Sequence, residues 1–191
     1  MIWAVVLAAG ESKRMGRPKQ ILPYGDSTIL GTVLELVLAS PVEGALVVLG
    51  AAADRIAPLV GRFPVETVLN PDFREGMLSS VRCGLRALPA SARAALVFLG
   101  DQPRIAPATA ARVVAAYRDS GRGLVLPTYG GRGGHPLLID LKYRAEIDGL
   151  EAGVGLRGIL DRHPDDVARI AVDDPGVRID IDTPDDYDSR T

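Results

Sequence analysis

Only one cysteine occurs in the 191 residues, Cys83, between Arg82 and Gly84 in a stretch that reads as helix. No second thiol exists to form an intrachain disulfide, and no metal-binding spacing surrounds it, so it is expected to be an ordinary packing residue. Long apolar runs are also missing, as are a basic region and a small-residue cleavage motif at the N-terminus. A cytoplasmic protein that touches no membrane is therefore expected. Neither sign of charge dominates: 22 Lys and Arg against 24 Asp and Glu leave a net charge of −2. Nucleic-acid binders carry a basic face, so local positive charge here points to a small polyanion and not to nucleic acid.

What is present is a chain 47% hydrophobic and 24% charged, the composition of a globular protein. Its length fits a single domain, 1–191, able to bury a sizeable core. Ile2 to Leu7, Ala45 to Leu49, Val65 to Leu69 and Ala94 to Leu99 are short apolar runs of the kind that form strands covered on both faces. Between them lie helical patterns: Ile29 to about Pro41, capped from Asp26-Ser27-Thr28, then Gly50 to Val60 and Met77 to Leu88, with Pro107 to Ser120 after the fourth strand. This alternation predicts an α/β fold, a Rossmann-like and mainly parallel sheet with helices on both faces and ligands at the carboxyl ends of the strands. Further on, Leu124 to Leu126, Leu137 to Ile139, Val167 to Val172 and Val177 to Ile181 are predicted strands, and Leu156 to Arg162 a short helix.

The first strand runs into Leu7-Ala8-Ala9-Gly10-Glu11-Ser12-Lys13-Arg14-Met15-Gly16-Arg17-Pro18-Lys19. Four of the seven residues from Lys13 to Lys19 are cationic, and such density repels itself unless an anion compensates it. Glycines beside it allow close backbone approach, so the loop is expected to hold a polyphosphate. It is not a Walker A loop, because Met15 stands where the second glycine is required, nor a dinucleotide fingerprint, because Ser12 stands two residues after Gly10.

Asp101, in Leu99-Gly100-Asp101-Gln102-Pro103, follows the fourth strand and falls on the same rim. Its charge would face the phosphates unless a cation mediates, and Mg²⁺ suits one or two carboxylates plus phosphate oxygens. A helix cap or Asx turn is the competing account. After the third strand, Gly76 permits a turn near a flat ring, while Ser79 and Ser80 offer hydroxyls and helix N-terminal amides to a base or ribose; a plain capped helix start competes. Asp180 and Asp182 point the same way along a predicted strand, and Thr183-Pro184-Asp185-Asp186 has the cap, proline and acidic residues of a helix start. Gly130 to Gly134 reads as a mobile loop near a ligand. His163 reads as a surface residue.

The pattern LAAGxSxRMGxPKxxLP resembles the signature of the MobA/MocA nucleotidyltransferases of molybdenum cofactor biosynthesis. Asn70 with NxxxxxGMxSS, the GDQP around Asp101, the GxxGHP ending at His135 and Pro136, and the DIDTP around Asp182 are similar to further segments of that family, in order across nearly the whole chain. The resemblance implies a nucleotide-diphospho-sugar transferase-like domain. It implies nucleotide contacts from Leu7, Ala8, Ala9, Gly10, Ser12, Arg14, Lys19, Asn70, Gly76, Ser79 and Ser80, and catalytic work by Arg14, Lys19 and Asp101. Mg²⁺ would be held by Asp101 and Asp182, and Gly134 and His135 would lie on the acceptor side, although His135 is equally well a structural residue. Ala8-Ala9-Gly10, GDQP and GHP favour the cytidylyltransferase branch, so CTP is expected over GTP, with molybdopterin or a related phosphorylated acceptor. A molybdoenzyme or its maturation chaperone is the implied protein partner. Guanylyl transfer and a nucleotide-binding accessory protein are the alternatives. Glu11 departs from the small residue often found there.

Overall fold

Strand β1 (Ile2–Ala8) leads through the cation-rich loop to a small hairpin, β2 (Pro23–Tyr24) and β3 (Ser27–Thr28), and then to helix α1 (Ile29–Leu38). Next come β4 (Gly44–Leu49), α2 (Ala53–Val60), β5 (Glu66–Leu69), α3 (Met77–Ala87), β6 (Ala94–Leu99) and α4 (Pro107–Ser120). The last third holds β7 (Leu124–Tyr129), β8 (Arg132–Gly133), β9 (Leu137–Asp140), α5 (Arg144–Asp148), α6 (Arg157–Arg162), β10 (Val167–Ala171) and α7 (Pro184–Asp188). This computed structural model describes residues 1–151 and 153–189.

The main sheet has the order β10-β7-β9-β6-β1-β4-β5, with β8 paired to the end of β7. β1 is parallel to both neighbours, placing Val5 beside Leu46 and Val97. β9 runs antiparallel to β6 and β7, so the sheet is mixed and mostly parallel. Alternating side chains feed two cores: Ala4, Val6 and Phe98 pack with α1, α2 and α4, while Val5, Val48 and Val97 pack with α3, α5 and α6. Burial on both faces accounts for the unbroken apolar runs, each buried Val or Leu contributing about 1.5–3 kcal/mol. The Thr28 hydroxyl caps α1 by accepting the Gly31 N–H at 3.0 Å.

Two expectations are corrected. Residues 177–181 form no strand; a 3-10 turn spans Pro175–Arg178. Asp174 pins that turn by accepting from Gly176 N (3.0 Å), Ala106 N (2.9 Å) and the Thr109 hydroxyl (2.6 Å). The segment's other backbone groups go to loop ends, Val177 O to His135 N and Ile181 N to Asp101 O, leaving no ladder. The glycine-rich 130–134 stretch is not an open loop, because Gly130 and Gly131 (φ 56° and 76°) turn the β7–β8 hairpin. Two successive positive φ angles suit glycine in such a two-residue turn. His163 lies at the surface as expected, 34% exposed, with its Nε2 2.7 Å from Glu146 and its ring 4.7 Å from that of Tyr143. The His135–Pro136 peptide is cis.

Candidate active site

Parallel pairing puts Leu7 of β1 beside Leu99 of β6, so the two loops that leave these strands share one rim. The first bends at Ser12, in the left-handed region at φ 52°, and again at Gly16, then tightens into a 3-10 turn at Lys19–Ile21. Ser12 Oγ accepts the Lys19 N–H at 3.2 Å and donates to Gln20 Oε1 at 3.3 Å, and Gln20 Nε2 donates to Gly10 O at 3.5 Å. Gln20 is only 3% exposed. It was missed in the sequence, where a lone amide between Lys19 and Ile21 carries no periodic signal. Met15 and Leu22 anchor the loop below, against Ile29, Ile181 and Tyr187.

At the rim, the Lys19 ammonium donates to Asp101 Oδ2 at 2.6 Å and Asp182 Oδ1 at 2.7 Å. Arg14 Nη2 donates to Asp182 Oδ2 at 2.7 Å. Burial alone would lower the Lys19 pKa, but the two carboxylates outweigh it and hold it above the ordinary value. Burial likewise pushes the Asp182 carboxyl up, and Lys19 and Arg14 overcome this to leave it depressed. Asp180 is raised, first by burial and then by the charges of Asp101 and Asp182, although Gln102 Nε2 donates to it at 2.5 Å.

Asp101 Oδ1 is buried and has no hydrogen-bond partner among the described residues. A buried orphan oxygen beside a second carboxylate suits a cation, so Asp101 and Asp182 have the chemistry to hold a divalent ion, with phosphates and water able to supply further oxygens. Among the described residues no group of three or more His, Cys, Asp or Glu side chains could hold a metal by itself.

One cavity of about 380 Å³ is lined by Leu7, Ala9, Gly10, Ser12, Arg14, Lys19, Gly76, Ser80, Asp101 and Asp182 together. Ala8 is absent from it because strand alternation turns it into the opposite core. Phe73 and Met77 also line it. These two were missed because the 3-10 turn at Phe73–Glu75 and the positive φ of Gly76 (103°) aim them, not a strand or helix period.

Asn70 and Ser79 do not line this cleft but a separate cavity behind it. Asn70, 2% exposed, donates to the Ser79 and Ser80 hydroxyls at 3.0 Å each and accepts the Asp72 N–H at 3.0 Å. Its amide braces the segment. Gly134 and His135 line a third cavity, of about 530 Å³, with Leu126, Leu137, Arg157 and Arg169. His135 is partly open to solvent, yet with desolvation as the sole influence its pKa falls to about 4. The ring is neutral at pH 7. Cys83 is a free, half-buried thiol on α3.

A family model described as the MobA-like NTP transferase domain matches residues 4–167. Nicotine blue oxidoreductase of Paenarthrobacter nicotinovorans is 32% identical over 196 residues, covering 95% of this chain and 92% of that protein. Molybdenum cofactor cytidylyltransferase of Escherichia coli K12 is 26% identical over 183 residues, covering 96% and 92%. The crystal structure of Rv0371c from Mycobacterium tuberculosis H37Rv aligns with a TM-score of 0.86 at 32% identity, over 99% of this chain and 96% of that one. A manganese complex of Rv0371c aligns at 0.80 and 30%, over 98% and 96%. No helix among the described residues is long and apolar enough to cross a membrane.

Proposed function

Because the chain belongs to the MobA-like NTP transferase family, we propose that it transfers CMP from CTP to molybdopterin and releases pyrophosphate. The observation that carries this reading is the meeting of Arg14, Lys19, Asp101 and Asp182 at a cleft that Leu7, Phe73, Met77 and Leu99 also line. Arg14 and Lys19 hold the phosphates. Leu7, Phe73 and Met77 face the base. Ser80 Oγ already accepts from Asn70, so its own proton is available to the base edge or ribose.

A phosphate oxygen of the acceptor attacks the α-phosphorus, the new P–O bond forms, and the bond to the bridging oxygen of the pyrophosphate breaks. Asp101 and Asp182 would hold a divalent cation, Mg²⁺ by the chemistry of the donor set, which when bound supplies positive charge against the leaving pyrophosphate. The rest is positioning: the Ser12–Gln20 contacts fix the loop, and Lys19 and Arg14 meet the growing charge. On the acceptor side, Gly134 and the neutral His135 offer contacts without added charge, with Arg157 and Arg169 at the mouth of their cavity for an acceptor phosphate. All these steps fit a cytoplasmic enzyme.

CTP rests on the likeness of the 70–80 segment to the cytidylyltransferase branch and on the name of the Escherichia coli relative. GTP, or a different phosphorylated acceptor, is the runner-up within the family. A nucleotide-binding accessory protein for molybdoenzyme maturation has no use for two carboxylates paired on a lysine. The name of the Paenarthrobacter relative favours a second reading, a redox enzyme on the same scaffold. Incubation with molybdopterin, Mg²⁺ and each NTP in turn tests the proposal: pyrophosphate release is expected to be fastest with CTP. Faster release with GTP overturns the choice of base. NTP binding with no release overturns molybdopterin as acceptor, and turnover of a redox dye with no NTP binding favours the second reading.

A further inference from the structure

Lys19 is buried between two carboxylates that are proposed to hold a cation, and its ammonium already fills the space between them. Of the four carboxylate oxygens of Asp101 and Asp182, Lys19 takes one from each and Arg14 takes a third. Only Asp101 Oδ1 is left, buried and without a partner. One oxygen is a poor site for a divalent ion, and an ammonium 2.6–2.7 Å from the neighbouring oxygens repels a second cation placed among them.

We infer that Lys19 is a tethered stand-in for the divalent ion, occupying the gap between Asp101 and Asp182 until a triphosphate draws the ammonium onto its own oxygens and opens the gap to the metal. This rests on the reading of Asp101 and Asp182 as the cation site. The exchange requires little of the fold, because the Lys19 backbone is pinned by Ser12 and Gln20 sits buried beside it. The movement is confined to the four-carbon stem, a flexible carrier of a compact charge. Lys19, Arg14 and Lys13 all line the cleft into which the stem would swing.

The balance of charge runs the same way. With nucleotide absent, Lys19 and Arg14 face Asp101 and Asp182. The arriving triphosphate adds several negative charges and needs both the lysine and a metal, whereas metal arriving alone would have to expel an ammonium with no anion to receive it. Metal affinity is thus coupled to nucleotide occupancy, and by linkage nucleotide affinity to metal. When pyrophosphate leaves, the ammonium returns and displaces the ion.

Mn²⁺ titration followed by electron paramagnetic resonance tests this on the nucleotide-free full chain. Lys19→Met is expected to bind Mn²⁺ at least tenfold more tightly than the wild type, and Asp101→Asn added to it should remove the gain. Mn²⁺ alone should raise the melting temperature of Lys19→Met and scarcely move that of the wild type. If Lys19→Met folds poorly, Lys19→Gln, which keeps an amide donor but no charge, is expected to show the same direction of change. Equal Mn²⁺ affinity in wild type and variant, with both binding the ion once a CTP analogue is present, overturns the exchange and leaves the cation site standing. Absence of any Mn²⁺ uptake beyond that of the free analogue overturns both.

Discussion

The carboxylate of Asp186 accepts the backbone N–H of Asp182 at 3.1 Å, so the first turn of α7 holds in place the residue that Lys19 and Arg14 both grip. Thr183 completes the cap, accepting the Asp186 N–H at 3.2 Å and donating to its carboxylate at 2.7 Å. Thr183→Ala is expected to cost about 1 kcal/mol of stability, the usual value of a lost N-cap. It should also raise the metal concentration needed for half-maximal turnover. A variant that melts early with unchanged metal dependence would show that α7 does not orient Asp182.

Asp101→Asn and Asp182→Asn are each expected to lower divalent-metal-dependent turnover by about 10²-fold or more, with the double variant scarcely worse than either single one, as for groups that act as a unit. The two carboxylates meet on a single ammonium from positions far apart in the chain. Steady-state rates over a metal titration check this, and losses that multiply would argue for independent roles.

Gln20→Leu removes the amide that joins Gly10 O to Ser12 Oγ. The Gly10 carbonyl and the Ser12 hydroxyl each lose a partner, and the loop loses its brace. KM for the nucleotide is expected to rise while kcat at saturation changes little. Unfolding curves together with initial rates separate the two effects, and an unchanged KM in a destabilised protein would make Gln20 purely structural.

Away from the cleft, Asp166 accepts from Lys142 Nζ at 2.7 Å and from the Tyr143 hydroxyl. Burial alone would raise its pKa, but these donors and the Gly123 N–H hold it down at about 2. A depressed carboxyl stabilises the fold above its unfolded pKa near 3.8, and that contribution is lost as pH falls through about 2. Asp166→Asn should therefore cost about 1 kcal/mol at pH 7, a value reduced for solvent screening. At pH 2, where the carboxyl is half protonated in the folded protein, most of that cost should be gone. Urea unfolding at the two pH values measures it, and an equal cost at both would assign the effect to packing.

The bounds of Pro107–Ser120 and the cap at Thr28 could be read from the chain, because proline, glycine and threonine act locally. So could the shared rim of the Lys19 loop and Asp101, since residues that leave parallel strands have few places to go; Asp182 reaches that rim from a segment that is no strand, and only the family resemblance pointed to it. Side-chain direction within short turns could not. Asn70 and Ser79 turn inward and Phe73 and Met77 turn to the cleft, a sorting decided by one 3-10 turn and one positive φ. Residues 177–181 have a strand's composition, yet Asp174 ties them to α4.

The antiparallel course of β9 has a wider consequence. Its entry point at Leu137 lies beside Val97 near the carboxyl end of β6, so the chain arriving from the β7–β8 hairpin reaches the same edge as the chain that departs from β6. Two segments of opposite polarity thus serve one edge, and the arriving one is built as a hairpin whose length can change without shifting the strands on either side. A change of length at Gly130 and Gly131 would therefore alter this edge without touching the β1 loop.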